Sequence, residues 1–394
     1  MQNWKMTTIA ECSTLLGDGL HGTPKYDNAG EYAFINGNNL DNGRITIKAD
    51  TKRVGQSEYE KHKKALTERT VLVSINGTLG NVALYNGEKV ILGKSACYFN
   101  VAEHCDVQFM RYVVTSPRFR QYINAVATGT TIKNVSLKQM RDYTFPIPNL
   151  TVQKQIARVL YSLDQKISTN SQINDNLQQQ AYAYFLRLFV ENADPAWRLG
   201  TISDLGTVVG GGTPSKEKTE YYTENGIAWI TPKDLSIDKS KFISHGENDI
   251  TELGYRNSSA TMMPAGTVLF SSRAPIGYIA IANNEVTTNQ GFKSVVPHKA
   301  IGTPYVYYFL IHNLPLIESK ASGSTFKEVS GSVMKSVEAV IPDCSTIAKF
   351  NDFCRPIFEF QAKLERENRE LTAMRDSLLP RLMSGEIDVS TIQI

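Results

Sequence analysis

The side chains best suited to pairing with a nucleobase lie in two short segments of the second half of the chain. Arg273 carries a guanidinium group, and Asn289 and Gln290 carry carboxamides. These groups match the hydrogen-bonding edges of guanine and adenine in the major groove of DNA. Alternatively, the same groups form internal hydrogen bonds that hold a loop, and the sequence alone leaves both interpretations open.

Two loops place a lysine beside hydroxyl groups, a combination that suits a phosphate. Lys133 follows Thr130 and Thr131, and Lys327 follows Thr325 in a later loop of the same pattern. An ammonium group, hydroxyls and loop amides can together hold a phosphate oxygen. We favour this interpretation over a plain turn.

The remaining candidates are basic or aromatic. Residues 1–150 hold 18 Lys and Arg against 13 Asp and Glu, a net charge of +5, whereas the whole chain has a net charge of +3. Basic clusters such as the one at 48–64 can neutralise phosphates, although charge alone favours a solvated surface hairpin or loop. The first-half candidates are Lys25, Tyr26, Arg44, Lys48, Lys52 and Arg53. The aromatic candidates are Tyr221, Tyr222 and Trp229, although aromatic residues in strands are more often part of the core.

The sequence lacks the motifs of several enzyme classes. It contains no His-Glu-x-x-His, no Gly-x-x-x-x-Gly-Lys-[Ser/Thr] and no Gly-x-Ser-x-Gly. The Asn-Pro-Pro-[aromatic] motif of amino-methylating DNA methyltransferases is also absent, and the glycines at 210–212 indicate a turn rather than a phosphate cradle. Pro342-Asp343 could begin a nuclease motif, but its match with Pro148-Asn149 favours a structural role. We therefore predict no catalytic residue.

Cysteine and histidine usage predicts no metal site and no cofactor. The five cysteines are odd in number and form no Cys-x-x-Cys pair, and the six histidines show no ligand spacing. This pattern predicts neither a disulfide framework nor a thiolate zinc site, and it fits a reducing cytoplasm. No signal peptide is expected, because residues 1–10 contain no continuous apolar stretch. No run approaches the length that crosses a bilayer.

The strongest pattern in the sequence is an internal repeat. Five segments recur in the same order at an offset of 190–197 residues. The paired segments are 22–24 and 212–214, 33–35 and 228–230, 70–74 and 267–271, 129–133 and 323–327, and 145–148 and 339–342. This series predicts two similar domains in one chain of 394 residues.

Each half shows the same succession of elements. Short β-branched and aromatic runs come first, punctuated by Gly, Asn and Pro, and they indicate strands. A short helix is predicted near 107–114 and again near 305–311, followed by the Gly-[Ser/Thr]-Thr loop and a last strand. Segregated strands and helices predict the α+β class.

Each half then ends in a long helix. After 148 and after 342 the hydrophobic period changes from about two to about 3.5 residues, which indicates a helix with a coiled-coil seam. Thr151 and Ser345 are the predicted N-caps. The simplest partner of each seam is the other seam, packed antiparallel over residues near 152–190 and 346–383. Asn174 and Asn368 fall inside the seams, where they either fix the register or lie solvated at the edge.

Several segments resemble the specificity (S) subunit of type I restriction-modification systems, the HsdS family. The most typical ones are Ser-Ser-Arg-Ala-Pro-Ile-Gly-Tyr at 271–278, Thr-Asn-Gln-Gly-Phe at 288–292, the segment 129–148 and the segment 378–387. The resemblance covers essentially the whole chain. Within a motif typical of this family, loop-holding is the favoured role of Asn289 and Gln290.

The resemblance implies an architecture and a set of partners. Two target recognition domains, at 1–150 and 193–344, would each bind one half of a split, asymmetric DNA site. Two long antiparallel coiled-coil helices, at 151–192 and within 345–394, would separate them in a pseudo-twofold arrangement. The chain would be non-catalytic and would dock two methyltransferase (M) subunits and restriction-translocase (R) subunits. Adenosylmethionine, ATP and magnesium would belong to those partners.

The first half departs from the family pattern. Asn289-Gln290-Gly291-Phe292 is matched by 94–97 (Lys-Ser-Ala-Cys), and Arg273-Ala274-Pro275 by 76–78 (Asn-Gly-Thr). Domains that recognise different sequences should diverge, but this divergence puts a residue-by-residue transfer of contacts in doubt. Two alternatives remain: a stand-alone DNA methyltransferase or nuclease with a fused recognition domain, and a duplicated scaffold or carbohydrate-binding protein without a DNA role.

Overall fold

The structure is a computed structural model that describes residues 4–323 and 327–389. The chain folds into two compact units. The first unit combines residues up to 167 with residues from 370 onwards, and the second is formed by Ser168–Arg369. Two stretches far apart in the sequence therefore build the first unit. No helix within the described ranges is both long and apolar enough to span a membrane.

The first unit is built around an antiparallel sheet. Its strands are β1 (Lys5–Thr8), β2 (Ser13–Asp18), β3 (Tyr32–Ile35), β4 (Leu40–Asp41), β5 (Arg44–Ile45), β6 (Arg53–Val54), β7 (Thr70–Ser74), β8 (Val82–Leu84), β9 (Val90–Leu92), β10 (Ala96–Val101) and β11 (Thr144–Ile147). Its helices are α1 (Gln56–His62), α2 (Val107–Thr115), α3 (Pro117–Val126) and α4 (Leu137–Asp142). The main sheet has the order β2-β10-β7-β8, and β6-β3-β9 and β1-β11 form smaller sheets.

Burial on both faces explains the sequence of the central strands. Every residue of β7 and β10 is buried, and the residues at 71–73 and 96–99 are apolar in succession rather than alternating. A strand covered on both faces is mostly apolar, without alternation. One face packs against α2, whose residues Phe109, Met110 and Val113 belong to the same core. On the other face, Leu72 and Tyr98 of the main sheet pack in one core with Ala33 and Ile35 of the smaller sheet.

The second unit repeats this plan. Its strands are β12 (Arg198–Thr201), β13 (Gly206–Gly210), β14 (Tyr222–Thr223), β15 (Trp229–Ile230), β16 (Phe242–Ile243), β17 (Asp249–Ile250), β18 (Val268–Ser272), β19 (Ile276–Ala282), β20 (Thr287–Thr288), β21 (Lys293–Pro297) and β22 (Glu338–Ile341). Its short helices are α6 (Ile202–Leu205), α7 (Pro232–Ile237), α8 (Glu252–Arg256), α9 (Thr303–His312), α10 (Leu314–Ser319) and α11 (Gly331–Ser336). The main sheet has the order β13-β21-β18-β19-β16, and β12-β22 and β15-β20 form separate pairs.

Equivalent backbone hydrogen bonds confirm the duplication. Val135 N–H donates to the Ile75 carbonyl at 2.8 Å, and Val329 N–H donates to the Ser272 carbonyl at 3.0 Å. The predicted α+β class and the short helices at α2 and α9 are also confirmed. The order of elements along each half therefore follows the prediction.

The predicted match of Gly22 with Gly212 is wrong in register. Leu20 N–H donates to Leu92 O as Gly212 N–H donates to Thr288 O, so Gly212 occupies the place of Leu20 rather than Gly22. The backbone offset is thus 192 at this point, and it differs from loop to loop because the two halves have loops of different length.

Two long helices contribute to both units: α5 (Leu150–Leu186) and α12 (Cys344–Met383). Their predicted N-caps are wrong by two residues. Asn149 Oδ1 accepts from Val152 N–H at 3.0 Å, and Asp343 Oδ1 accepts from Thr346 N–H at 3.0 Å. Both capping side chains immediately precede the first helical residue, where they satisfy backbone donors that a helix leaves unpaired.

Contacts between the two helices run antiparallel within each unit, as predicted. In the first unit, Arg375 Nη1 lies 3.0 Å from Asp164 Oδ1. In the second unit, Asn170 Nδ2 donates to Asn368 Oδ1 at 3.0 Å, and Asn174 Nδ2 donates to Glu365 Oε1 at 3.3 Å. Asn174 and Asn368, the two predicted seam asparagines, are half-buried and hydrogen-bonded across the seam. This favours the interpretation that they fix the register over solvation at the edge of the seam.

Candidate nucleic-acid interface

The second unit contains a concave cleft of about 590 Å³ that brings together several predicted residues. Its lining comes from the loop after β13, the start of α7, the turn after β18 and the segment between β20 and β21. Trp229, Arg273, Asn289 and Gln290 all contribute to the lining, together with Thr213. With Tyr222, five candidates from three parts of the sequence therefore meet at one site.

Glycines allow the loop after β13 to pass close to the segment that follows β20. A Cβ at Gly211 would lie 2.0 Å from the Asn289 carbonyl oxygen, and one at Gly212 would lie 2.3 Å from Ala260 N. Trp229 Nε1 donates to the Gly212 carbonyl at 2.9 Å. The glycine run therefore serves close backbone packing, which agrees with its interpretation as a turn rather than a phosphate cradle.

Asn289 holds its own loop. Its Oδ1 accepts from Gly291 N–H at 2.8 Å, and its backbone N–H donates to the Ile230 carbonyl at 3.0 Å. Gln290 is exposed at the rim, where its Oε1 accepts a hydrogen bond from the Thr213 hydroxyl. The carboxamide oxygen of Asn289 is thus used internally, whereas Gln290 presents its side chain to solvent.

Arg273 lies at the rim of the cleft and shares a carboxylate with a second cation. Its Nη1 is 3.5 Å from Glu328 Oε2, and Lys293 Nζ is 3.4 Å from Glu328 Oε1. The Arg273 side chain is 37% exposed, and that of Glu328 is 36% exposed. Such an exposed pair contributes about 0–1 kcal/mol. Arg273 is therefore held only weakly by Glu328.

One of the two acidic residues that line the cleft, Asp234, accepts hydrogen bonds from internal donors. Asp234 accepts from the backbone N–H groups of Thr231 and Glu247 at 2.7 and 2.9 Å, and from the Thr231 hydroxyl at 2.6 Å. It caps the start of α7. These bonds compensate the charge of Asp234 locally, and the other acidic residue of the lining, Glu247, pairs with Lys233.

The aromatic candidates separate into lining and core. Trp229 is 6% exposed, and its ring meets Tyr222 edge-on at 5.7 Å between centroids. Both residues line the cleft. Tyr221 is 5% exposed and outside the lining, and its hydroxyl accepts from Lys218 Nζ at 3.0 Å. The structure therefore gives Tyr221 a packing role, because it is buried outside the lining of the cleft.

The two lysine loops occupy equivalent positions at the edge of each main sheet. In the first unit, Thr128 and Asn134 exchange backbone hydrogen bonds at 2.9 and 2.8 Å, and Asn76 Nδ2 donates to Asn134 Oδ1 at 3.1 Å. Thr130 and Lys133 are exposed on the closed loop.

The corresponding bonds in the second unit join Ser322 with Glu328, and Arg273 forms a bridge to Glu328. Lys327 is exposed next to this bridge. Ser324, Thr325 and Phe326 of the predicted loop lie outside the described residues. Each unit therefore sets one exposed lysine beside the segment that follows β7 or β18, which carries Asn76 or Arg273.

Comparisons with known proteins bear on this site. A family model described as the type I restriction modification DNA specificity domain matches residues 1–179 and again 196–371. The chain belongs to this family.

Relatives and a solved structure agree with the specificity-domain family. The type I restriction enzyme MjaIX specificity subunit of Methanocaldococcus jannaschii is 43% identical over 148 residues, which are 37% of this chain and 34% of that subunit. The HindI specificity subunit of Haemophilus influenzae is 23% identical over 357 residues, covering 71% of this chain and 77% of that subunit. The crystal structure of a type I S subunit from M. genitalium has a TM-score of 0.60, 19% identity and 96% coverage of both chains, and shows the fold.

Sequence reasoning missed Lys94 in the first specificity domain. Gly93 N–H donates to Ile35 O as Asn289 N–H donates to Ile230 O, so Lys94 takes the position of Gln290. The predicted match of Asn289 with Lys94 is therefore wrong by one residue. Lys94 is exposed, and the recurrence of 33–35 at 228–230 is the sequence signal that could have anchored the correct alignment.

The basic candidates of the first specificity domain divide into exposed and internal groups. Lys48 and Lys52 are exposed on one turn, which Lys48 N–H closes by donating to Thr51 Oγ1 at 2.8 Å. Arg53 is half-buried, and its Nη1 donates to the Glu31 carbonyl at 3.2 Å. The Arg53 guanidinium therefore holds the backbone of its own domain.

The other first-half candidates lie around this turn or on a neighbouring hairpin. Tyr26 is 42% exposed and packs against Phe34 at 6.0 Å between ring centroids. Lys25 is exposed, and its backbone N–H donates to Glu58 at 3.0 Å. Arg44 is exposed in the β4–β5 hairpin. Lys25 and Arg44 are thus exposed cations of the first unit, like Lys48 and Lys52.

A second concavity of about 600 Å³ lies elsewhere in the first unit, beside α2 and the two long helices. Arg111 and Arg375 line it, and both pair with Asp164 at 2.6 and 3.0 Å. None of the predicted contacts lines this concavity. Asp164 on α5 thus joins Arg111 on α2 to Arg375 on α12, so these two arginines hold the helices together.

Proposed function

We propose that this chain is the DNA specificity subunit of a type I restriction-modification enzyme. Each α+β domain binds one half of a bipartite, asymmetric target, and the two long helices carry methyltransferase and restriction subunits. The observation that carries the proposal is the match of the specificity-domain family to both halves of the chain. A duplicated recognition domain is the arrangement that a two-part target requires.

The cleft of the second unit supplies a recognition mechanism. Lys327 beside it neutralises a phosphate and positions the domain, while Arg273 and Gln290 contact base edges. Asn289 fixes the loop that presents Gln290. In the first domain, Lys133 and Lys94 take the positions of Lys327 and Gln290, and Asn76 takes that of Arg273. The two domains therefore present different donors and acceptors at matched positions, which suits two different half-sites.

Exposed apolar side chains on the long helices support docking of partner subunits there. In the second unit, Ile173, Phe353 and Phe360 are 36%, 40% and 43% exposed. Replacing Ile173 and Phe360 with Ser should weaken binding of the methyltransferase subunit in a pull-down titration. Leu199→Ser is the matched control, because Leu199 is 79% exposed on β12 and outside the helices. Equal loss in both variants would contradict docking on the helices.

The proposed chain has no catalytic activity of its own. Asp343, the candidate nuclease carboxylate, accepts hydrogen bonds at the start of α12 and from Trp197 Nε1 at 3.2 Å. These bonds lower its pKa below the ordinary range and commit it to capping. Incubating the purified chain with DNA and labelled adenosylmethionine should give no transfer until a methyltransferase subunit is added. Transfer by the chain alone would make it an enzyme.

Methylation mapping tests the whole proposal. Cells that contain the cognate methyltransferase subunit should carry methylated adenines in one bipartite sequence only when this chain is present. Arg273→Ala should relax the preference at one position of one half-site and leave the other half-site unchanged. Arg256→Ala is the control, because Arg256 is an exposed arginine of the same unit outside the cleft. An unchanged methylation pattern in cells lacking the chain would remove its role in specificity.

A further inference from the structure

Three potential metal ligands converge in the first unit, at a place that the DNA-binding proposal does not use. The ligand atoms of Cys12, His104 and Cys105 all lie within 4.8 Å of one another. Cys12 is fully buried, Cys105 is 1% exposed and His104 is exposed. Among residues 4–323 and 327–389, no other set of three His, Cys, Asp or Glu side chains meets this distance. Ligand spacing does not reveal the group in the sequence, because Cys12 is far from His104 and Cys105 in the chain.

The backbone on both sides of this group is firmly held. Ala102 N–H donates to the Cys12 carbonyl at 2.9 Å, and Cys105 N–H donates to the Ala102 carbonyl at 3.0 Å. The Arg69 guanidinium donates to the carbonyls of Ala102 and Cys105 at 2.8 and 2.7 Å. The turn before β2 and the connection from β10 to α2 are thereby fixed against each other. Preorganised ligands of this kind bind a metal without further ordering of the chain.

A hydroxyl group lies beside the Cys12 sulfur. Thr7 Oγ1 lies 3.6 Å from Cys12 Sγ and can donate to it. The thiolate is the form of cysteine that binds soft metal ions.

The second domain shows that the fold does not need thiols at these positions. His298 N–H donates to Leu205 O as Ala102 N–H donates to Cys12 O, and Ile301 N–H donates to His298 O as Cys105 N–H donates to Ala102 O. Leu205 and Ile301 therefore replace the two cysteines, and both belong to an apolar core. His104 corresponds to Ala300.

We propose that Cys12, His104 and Cys105 bind one zinc-class metal ion, with water as the fourth ligand of a tetrahedral site. Two thiolates and an imidazole are a ligand set that Zn²⁺ uses with an open fourth position. The exposed imidazole provides the entry path from solvent. The ion clamps the turn before β2 to the β10–α2 connection, and it belongs to the first domain alone.

The test is a Co²⁺ titration of the reduced, metal-free full-length chain. We expect one equivalent of Co²⁺ per chain, with tetrahedral ligand-field bands and a thiolate-to-metal charge-transfer band that Zn²⁺ abolishes by displacement. His104→Ala should weaken Co²⁺ affinity by more than the about 10–100-fold that loss of an outer-shell partner costs. The absence of the charge-transfer band in the unsubstituted chain overturns the proposal.

The repeat itself supplies the variant that preserves packing. Cys12→Leu with Cys105→Ile installs the side chains of the second domain, so it should fold, retain DNA binding and lose both bands. Cys344→Ala removes an exposed thiol outside the group and should bind Co²⁺ unchanged. Bands that survive in the double variant would place the metal elsewhere and overturn the proposal. A Cys12–Cys105 disulfide, found by alkylation and mass spectrometry in protein from reducing cells, would also overturn it.

Discussion

Lys241 offers a sharp test of how the second domain is attached to the long helices. The side chain is 6% exposed, and its Nζ donates to Gln361 Oε1 at 2.9 Å and to Gln178 Oε1 at 3.0 Å. The Phe358 ring centroid is 3.4 Å from the same nitrogen. Glu365 on α12 accepts the backbone N–H of Lys241 at 2.9 Å. A buried lysine thus joins β16 to both long helices within the second unit.

Burial lowers the pKa of Lys241 from its ordinary 10.5 to about 6. Between these two values the unfolded chain binds one more proton than the folded chain, so stability must rise with pH. The slope reaches about 1.4 kcal/mol per pH unit, or about 2 kcal/mol between pH 7.0 and 8.5. The measurement stops at pH 8.5 because burial raises the pKa of Cys354 from 9.0 to about 12. Above pH 9 that raised pKa makes stability fall as the pH rises.

Lys241→Met removes the titrating group at nearly constant volume. We expect the free energy of unfolding of the second unit to lose most of its rise with pH. Urea denaturation followed by tryptophan fluorescence measures this free energy of unfolding. A Trp4→Phe background leaves only Trp197 and Trp229 as fluorophores, and both lie in the second unit. Lys239→Met, an exposed neighbour, should keep the slope. Equal slopes in the Lys241→Met variant and the parent, or stability that falls with pH in the parent, would refute the argument.

Three further predictions concern DNA contacts and the long helices. Lys133→Ala and Lys327→Ala should each weaken binding to all DNA sequences similarly and lower the salt dependence by about one charge; an unchanged slope in a salt titration would remove that lysine from the interface. Asp164→Asn should destabilise the first unit by about 3 kcal/mol, because two arginines lose their common carboxylate, whereas the exposed Asp376→Asn should change urea denaturation little. Gly211→Ala should displace the β13 loop and weaken only the half-site of the second domain; a variant with full affinity and unaltered methylation would show that the loop tolerates a Cβ.

Local patterns in the sequence predicted the architecture, because period and repeat are visible without knowing the contacts. The apolar period of α5 and α12 predicted their seams, and the structure buries or half-buries every seam residue. The caps were misplaced because Asn149 and Thr151 are both capable of capping, and only the geometry selects between them. The register of the repeat failed where loops differ in length, which shifted the alignment at Gly22 and at Lys94.

Features that depend on long-range packing escaped prediction. Lys241 looks like any surface lysine in the sequence, yet tertiary packing buries it among aromatic rings. Cys12 and Cys105 approach each other only because β2 pairs with β10. The pairing of Arg273 with Glu328 likewise depends on the loop after α10, which no local pattern connects to β18.

The discontinuous first unit has a consequence for how the protein is made. Leu379 and Leu382 belong to the core that also contains Val71 and Phe109. A ribosome synthesises those first core residues early and the last ones only near the end of translation. The second unit, which is continuous from 168 to 369, can complete its core first. The domain that begins synthesis first is therefore the last to mature, and a chain broken off after residue 369 would lose part of the core of its N-terminal domain while its second domain stayed whole.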